Sequence, residues 1–175
     1  APVIQGATVP NVLLVNNSVP ANSLRDLIAY AKANPGKLTF ASQGNGSTGH
    51  MIGEQFKVMA GIDLTHVPYR GAAPASQDLV AGHVDVIFMQ LESAVKLHEC
   101  KNARILAVTT SKRLPELPDV PTVEKAGVTL ISATWMAIAA PPKAAAPIGR
   151  KPNTTHNPQL SRPPEPPRAP APPRT

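Results

Sequence analysis

Cysteine is almost missing from this chain: Cys100 stands alone among 175 residues. One thiol excludes an internal disulfide and any metal site built from cysteine alone, and it is read as a bystander. The histidines do not replace it. His50, His66, His83, His98 and His156 are scattered, with no HxH or HxxxH spacing, so neither a metal nor a cofactor is expected. No apolar run reaches the roughly 18 residues needed to span a membrane. No basic-then-apolar leader opens the sequence, so a secretion signal is not expected in this form. The first residues, APVIQGATVPNVLLV, read as a chain entered in mid-structure.

An excess of acid is also missing, but the excess of base misleads. The formal charge is +6, yet six of the 17 basic side chains lie in residues 141–175 against the single acid Glu165. The first 140 residues hold 11 basic and 10 acidic side chains, so the part expected to fold offers no electrostatic case for nucleic acid. Residues 141–175 also hold 12 of the 21 prolines and two large aliphatics, Ile148 and Leu160. Such a segment cannot build a core and is expected to be disordered or polyproline-like, a solvated tail before it is a PxxP ligand.

What the chain does have is organised around residues 38–60, LTFASQGNGSTGHMIGEQFKVMAG as it continues to Gly61. Leu38 to Ser42 reads as a strand, Gln43 to Gly49 as a glycine-rich turn and Thr48 to Ala60 as a helix. The spacing Gly44-x-Gly46-x-x-Gly49 lets the backbone turn sharply and approach a ligand closely. The turn delivers a helix N-terminus with free N–H groups and no acid before Glu54. That combination is an anion site. The helix is expected to bury Ile52, Phe56, Met59 and the stem of Gln55.

Around this centre the chain alternates. Thr8 to Asn16, interrupted by Pro10, reads as an edge or crossover strand. Ser23 caps a helix to about Ala33, with Asp26 completing a capping box. Leu64 to Tyr69 is a strand, followed by the turn Arg70 to Ala73 and a helix with Pro74 at its first position. Val84 to Phe88 and Arg104 to Thr110 are further strands, with a helix from Leu91 to about Glu99 between them. A short helix from Thr122 to Ala126 and an extended run from Thr129 to Ala140 complete the sequence of elements. Alternation of this kind implies an α/β fold with a parallel, doubly wound sheet. Right-handed crossovers then bring the turns 43–49, 70–73 and 89–91 to one edge, where ligands bind.

Four stretches carry a resemblance: AKANPGKLTFASQGNGSTGH, HVPYRGAAPASQDLVAGHVDV, LAVTTSKRLPELPDVPTVEKAGV and WMAIAAP. In order and spacing, from about residue 8 to 141, they resemble the Bug (TctC-like) family, the substrate-binding proteins of tripartite tricarboxylate transporters. The resemblance implies a periplasmic-binding-protein-like fold, a periplasmic location and membrane subunits as partners. It also implies capture of a small carboxylate, such as a di- or tricarboxylate, an acidic amino acid or an aromatic acid. In that family two α/β domains close over the ligand. This chain resembles mainly the second, so residues 1–141 are expected to be an incomplete binding-protein region and 142–175 a tail. The resemblance further suggests a gene fragment whose tail is read from a shifted frame, with millimolar or undetectable affinity of its own.

Ser42, Gly44, Gly46, Ser47 and Thr48 are the expected carboxylate contacts, by hydroxyls and backbone N–H groups. Ser47 or Thr48 is also the expected helix cap. His50 either donates to a carboxylate or packs against the turn. Tyr69 and Arg70 end a strand at the ligand edge, and Arg70 is either a bidentate partner for a distal carboxylate or a solvated charge. Gln90 is a candidate contact, whereas Asp85, early in its strand, is assigned to structure. Trp135 is expected to pack at a domain junction.

The competing reading is a nucleotide (NADP) site on the Gly44-Gly46-Gly49 loop. It wants an acid at the end of the following strand to hold the ribose hydroxyls, where Tyr69 and Arg70 stand; Asp63 comes too early, and Arg70 would instead favour a 2′-phosphate. No catalytic set emerges either, because Ser47 and His50 on one helix start have no orienting acid.

Overall fold

The computed structural model describes residues 2–139. Six strands, β1 (Pro2–Asn16), β2 (Thr39–Ser42), β3 (Thr65–Pro68), β4 (Val86–Gln90), β5 (Ala103–Val108) and β6 (Ala133–Ala139), form a single sheet. Between them lie α1 (Leu24–Ala33), α2 (Thr48–Ala60), α3 (Ala72–Ala81), α4 (Leu91–Glu99) and a short 3-10 turn at Val123–Ala126. The larger compact unit is Val9–Thr134. A second unit gathers the residues flanking it, and its described parts are the start of β1 and the end of β6, two strands that pair. The expected tail, 142–175, lies outside the described residues.

The strand order is β3-β2-β4-β1-β5, with β6 on β1. β2 pairs in parallel with both β3 and β4. The sheet is nevertheless mixed rather than wholly parallel, because β1 runs antiparallel to β4 and to β5. β1 is therefore an interior strand, not an edge. Val12 to Val15 are fully buried, since a strand flanked on both sides and covered on both faces has no solvent-facing side.

Alternation along each strand divides the core in two. Leu13, Val15, Phe40, Val86 and Phe88 point to the face covered by α1 and α2. Val12, Leu14, Ala41, Ile87 and Met89 point to the face covered by α3 and α4. This is the period of two expected of a pleated strand, and it makes the fold doubly wound.

The helices α1, α2 and α4 start where the sequence says they should. Ser23 caps α1 in a full capping box: its side chain accepts from the Asp26 N–H while Asp26 accepts from the Ser23 N–H. Two details differ from expectation. Pro74 is the third residue of α3 rather than the first, which costs nothing because the first four helical N–H groups have no partner within the helix. Met59 is 42% exposed and Gln55 is exposed as well; α2 buries Ile52 and Phe56 as expected, together with Gly49, Gly53 and Ala60. Gly53 decides this, since a Cβ there would lie 2.2 Å from the Phe40 ring, so α2 can seat flush on β2 only through a glycine. Trp135, expected at a junction, is 67% exposed.

Candidate functional site

Three helix N-termini meet at one edge of the sheet. Because β2 and β4 are parallel, the turns that follow them emerge together, and the turn into α3 joins them. The residues around a cavity of about 190 Å³ show the convergence. α2 contributes Ser47, Thr48 and Gly49, α3 contributes Ala72, and the start of α4 contributes Gln90 and Ser93. Gln43 and Met89 line it from the turn and from β4, Asn11 from β1 and Thr134 from β6. None of these ten lining residues is charged. The field in the cavity is that of backbone dipoles, each helix N-terminus favouring an anion by roughly 0.3–1 kcal/mol.

The start of α2 is held tightly. Ser47 is its N-cap, and its Oγ accepts from the His50 N–H at 3.3 Å. Gln43 Nε2 donates to the Phe88 carbonyl at 3.0 Å, tying the turn to β4. Gly49 sits in the angle between them: a Cβ there would lie 2.3 Å from Gln43 Oε1 and 2.7 Å from the Phe88 oxygen. With His50 and Met51 N–H groups bonded back to Ser47, the N–H groups of Thr48 and Gly49 have no acceptor among the described residues. No acid occupies the first turn. Gln90 caps α4 by its backbone alone, which leaves its exposed side chain free of that task.

The other side of the same turn is occupied by its own contacts. Ser42 is fully buried; its Oγ accepts from the Gly44 N–H at 3.2 Å and lies 2.7 Å from His66 Nε2. The His66 ring stacks on Phe40 at 4.7 Å and on His50 at 4.1 Å. His50 Nδ1 in turn accepts from the Gly46 N–H at 3.1 Å. Burial, and then the neighbouring His50, push the His66 pKa below its ordinary value. Gly44 and Gly46 both have positive φ, so the turn needs glycine there.

Of the residues expected from sequence, Ser47, Thr48 and Gln90 line the cavity. Ser42, Gly44, Gly46 and His50 do not line it; they hydrogen-bond within the turn and to His66. Tyr69 donates its hydroxyl to Asp78 Oδ2 at 2.6 Å, and partial burial with that bond raises its pKa to about 12. Asp78, receiving Tyr69 and His83, is held below its ordinary value. Arg70 is exposed and has no ion pair among the described residues. Asp85 accepts from the N–H and hydroxyl of Thr39 at 2.8 and 2.9 Å, a tie between β2 and β4. Of the lining residues with polar side chains, sequence reasoning missed Asn11, Gln43, Ser93 and Thr134. Gln43 and Ser93 stand in or beside the named turns, but Asn11 and Thr134 lie far away in sequence and only strand pairing brings them in. Among the described residues no group of three or more metal-ligating side chains gathers, and no helix is long and apolar enough to cross a membrane.

An uncharged cavity rimmed by helix N-termini is matched by what the chain resembles. Residues 1–164 match the model of the tripartite tricarboxylate transporter family receptor, TctC. The chain belongs to that family. It is 41% identical over 142 residues to a UPF0065 protein from the tcbD-tcbE intergenic region of Pseudomonas sp. (strain P51), covering 80% of this chain and 42% of that protein. It is 34% identical over 141 residues to BugT of Bordetella pertussis, covering 80% of this chain and 43% of BugT. Among solved structures, R. palustris Rpa4515 with adipate superposes at a TM-score of 0.83 and 42% identity, covering 87% of this chain and 52% of that one. MatC from Rhodopseudomonas palustris, with bound malate, superposes at 0.81 and 30% identity with the same coverage. This TctC-family chain thus spans about half the length of the relatives it matches, and has their α/β binding-protein fold.

Proposed function

We propose that this chain takes part in extracytoplasmic capture of a small organic carboxylate for a tripartite tricarboxylate transporter, as a binding protein and not an enzyme. One observation carries the reading: the unpaired Thr48 and Gly49 N–H groups open into a cavity that offers neutral donors and three helix N-termini. Two relatives of the same fold hold dicarboxylates, adipate and malate. On this reading Ser47, Thr48 and Gln90 contact the carboxylate. Ser42, Gly44, Gly46 and His50 hold the turn in shape, while Tyr69 and Arg70, which do not line the cavity, serve a distal group. Residues 1–141 then correspond mainly to the second domain of the longer relatives, with 142–175 as a tail, and membrane subunits of the transporter are the partners of the whole receptor.

The test suits weak binding. In the 15N-labelled chain, adipate, malate and succinate at millimolar concentrations are expected to shift the Thr48 and Gly49 amide signals saturably. NADP, the competing ligand whose 2′-phosphate Arg70 would meet beyond the end of β3, is expected to leave them in place. A saturable NADP response with no carboxylate response would reverse the assignment.

A further inference from the structure

We propose that the side-chain amide of Asn11 is the donor that makes this cavity choose a carboxylate over a carboxamide. The proposal rests on the carboxylate reading of the cavity and adds to it a residue with a defined chemical task.

Asn11 is 2% exposed and lines the cavity, opposite Gln90 in the antiparallel pair of β1 with β4. Almost every polar group it carries is already engaged. Its main-chain oxygen accepts from the Thr109 N–H at 3.0 Å and from the Thr109 hydroxyl at 2.9 Å. Its side-chain Oδ1 accepts from the Thr134 hydroxyl at 3.2 Å. Its Nδ2 is buried and has no partner among the described residues. Buried amide donors are rarely left unpaired, because the lost hydration is not recovered. With Thr134 holding the oxygen end, the nitrogen end is the one left for the cavity, and rotation about the Cβ–Cγ bond is a soft torsion in asparagine.

The rest of the cavity sharpens what that donor selects. The Thr48 and Gly49 N–H groups also need acceptors. A carboxylate supplies two acceptor oxygens and no donor, so it can satisfy the helix terminus with one and Asn11 with the other. A primary carboxamide of the same shape must turn an NH2 group toward one of these donors, leaving two donors facing each other. Discrimination of this kind exceeds what shape alone provides, since a mismatched buried polar group stays unpaired.

Adipate and adipamide, equal in length, are the probes, read at the Thr48 and Gly49 amides of the 15N-labelled full chain. The wild type is expected to respond to adipate at least tenfold more tightly than to adipamide. Asn11→Asp exchanges a donor for an acceptor and is expected to narrow or reverse that ratio by tenfold or more, a change that loss of packing alone would not produce. Thr134→Val, which frees the carbonyl end, is expected to weaken adipate two- to fivefold, and it decides the matter if Asn11→Asp fails to fold. An unchanged adipate-to-adipamide ratio in Asn11→Asp, or an unchanged adipate affinity in Thr134→Val, overturns the role of Asn11 while leaving carboxylate capture intact. No adipate response at Thr48 and Gly49 in the wild type removes carboxylate capture, and the role of Asn11 with it.

Discussion

The two sides of the β2–α2 turn use the same residue types for opposite ends. On one side Ser42, Gly44, Gly46, His50 and His66 satisfy one another, through hydrogen bonds and stacked rings. On the other side the Thr48 and Gly49 N–H groups and the buried Asn11 Nδ2, all lining one cavity, have no partner among the described residues. A serine and a histidine near a glycine turn look alike in sequence whichever side they face. The difference teaches that unpaired donors can be held open only when the loop bearing them is locked from behind, because an unlocked turn would fold back and satisfy them itself.

The largest expected break in that contrast comes at the hinge between the sides. Gly49→Ala puts a methyl group against the Phe88 carbonyl and the Gln43 side chain, and backbone oxygen cannot yield as a flexible side chain can. A loss of about 2–3 kcal/mol is expected from overpacking, with the carboxylate response abolished. A denaturant midpoint equal to that of the wild type would show that the turn has slack.

Ser42→Ala attacks the locked side alone. It strips a partner from the Gly44 N–H and from His66 in a fully buried position, and about 1–2 kcal/mol of stability should go. Since Ser42 does not line the cavity, the carboxylate response should weaken only as far as the turn loosens. If Ser42→Ala instead retained full stability and lost all carboxylate response, Ser42 would belong to the open side.

The smallest effect is a pH dependence. Burial and His50 hold the folded-state pKa of His66 below 6.5, so the folded chain takes up that proton less readily than the unfolded chain. Stability is then greatest above about pH 7 and falls as pH drops through 6.5 toward the folded-state pKa. Denaturant midpoints at pH 7.5 and 5.5 should differ more for the wild type than for His66→Gln. Equal differences in the two proteins would remove His66 from the pH response.

Much of the frame was legible. The limits of α2 and α4, the Ser23 capping box and the turn glycines follow from local chemistry, and local chemistry is what a sequence displays directly. The direction of β1 was not legible, because an apolar run reads alike in parallel and antiparallel pairing. Met59 misled because its spacing fits a buried face, while the seat of α2 is set by the space a glycine leaves against Phe40. At the site, Ser47, Thr48 and Gln90 could be named because they belong to turns that right-handed crossovers place at one edge. His66 could not, because its partners Ser42 and His50 are 24 and 16 positions away and no motif joins them.

The sequence by itself determined that this chain would wind α-helices about a sheet and present a glycine turn and an acid-free helix start at its ligand edge, since these depend on periodicity, caps and backbone freedom. Only the tertiary structure decided which donors stay open. Whether an N–H group is free depends on every neighbour that could satisfy it, and Asn11 and Thr134 reach the cavity through strand pairing across more than 120 positions.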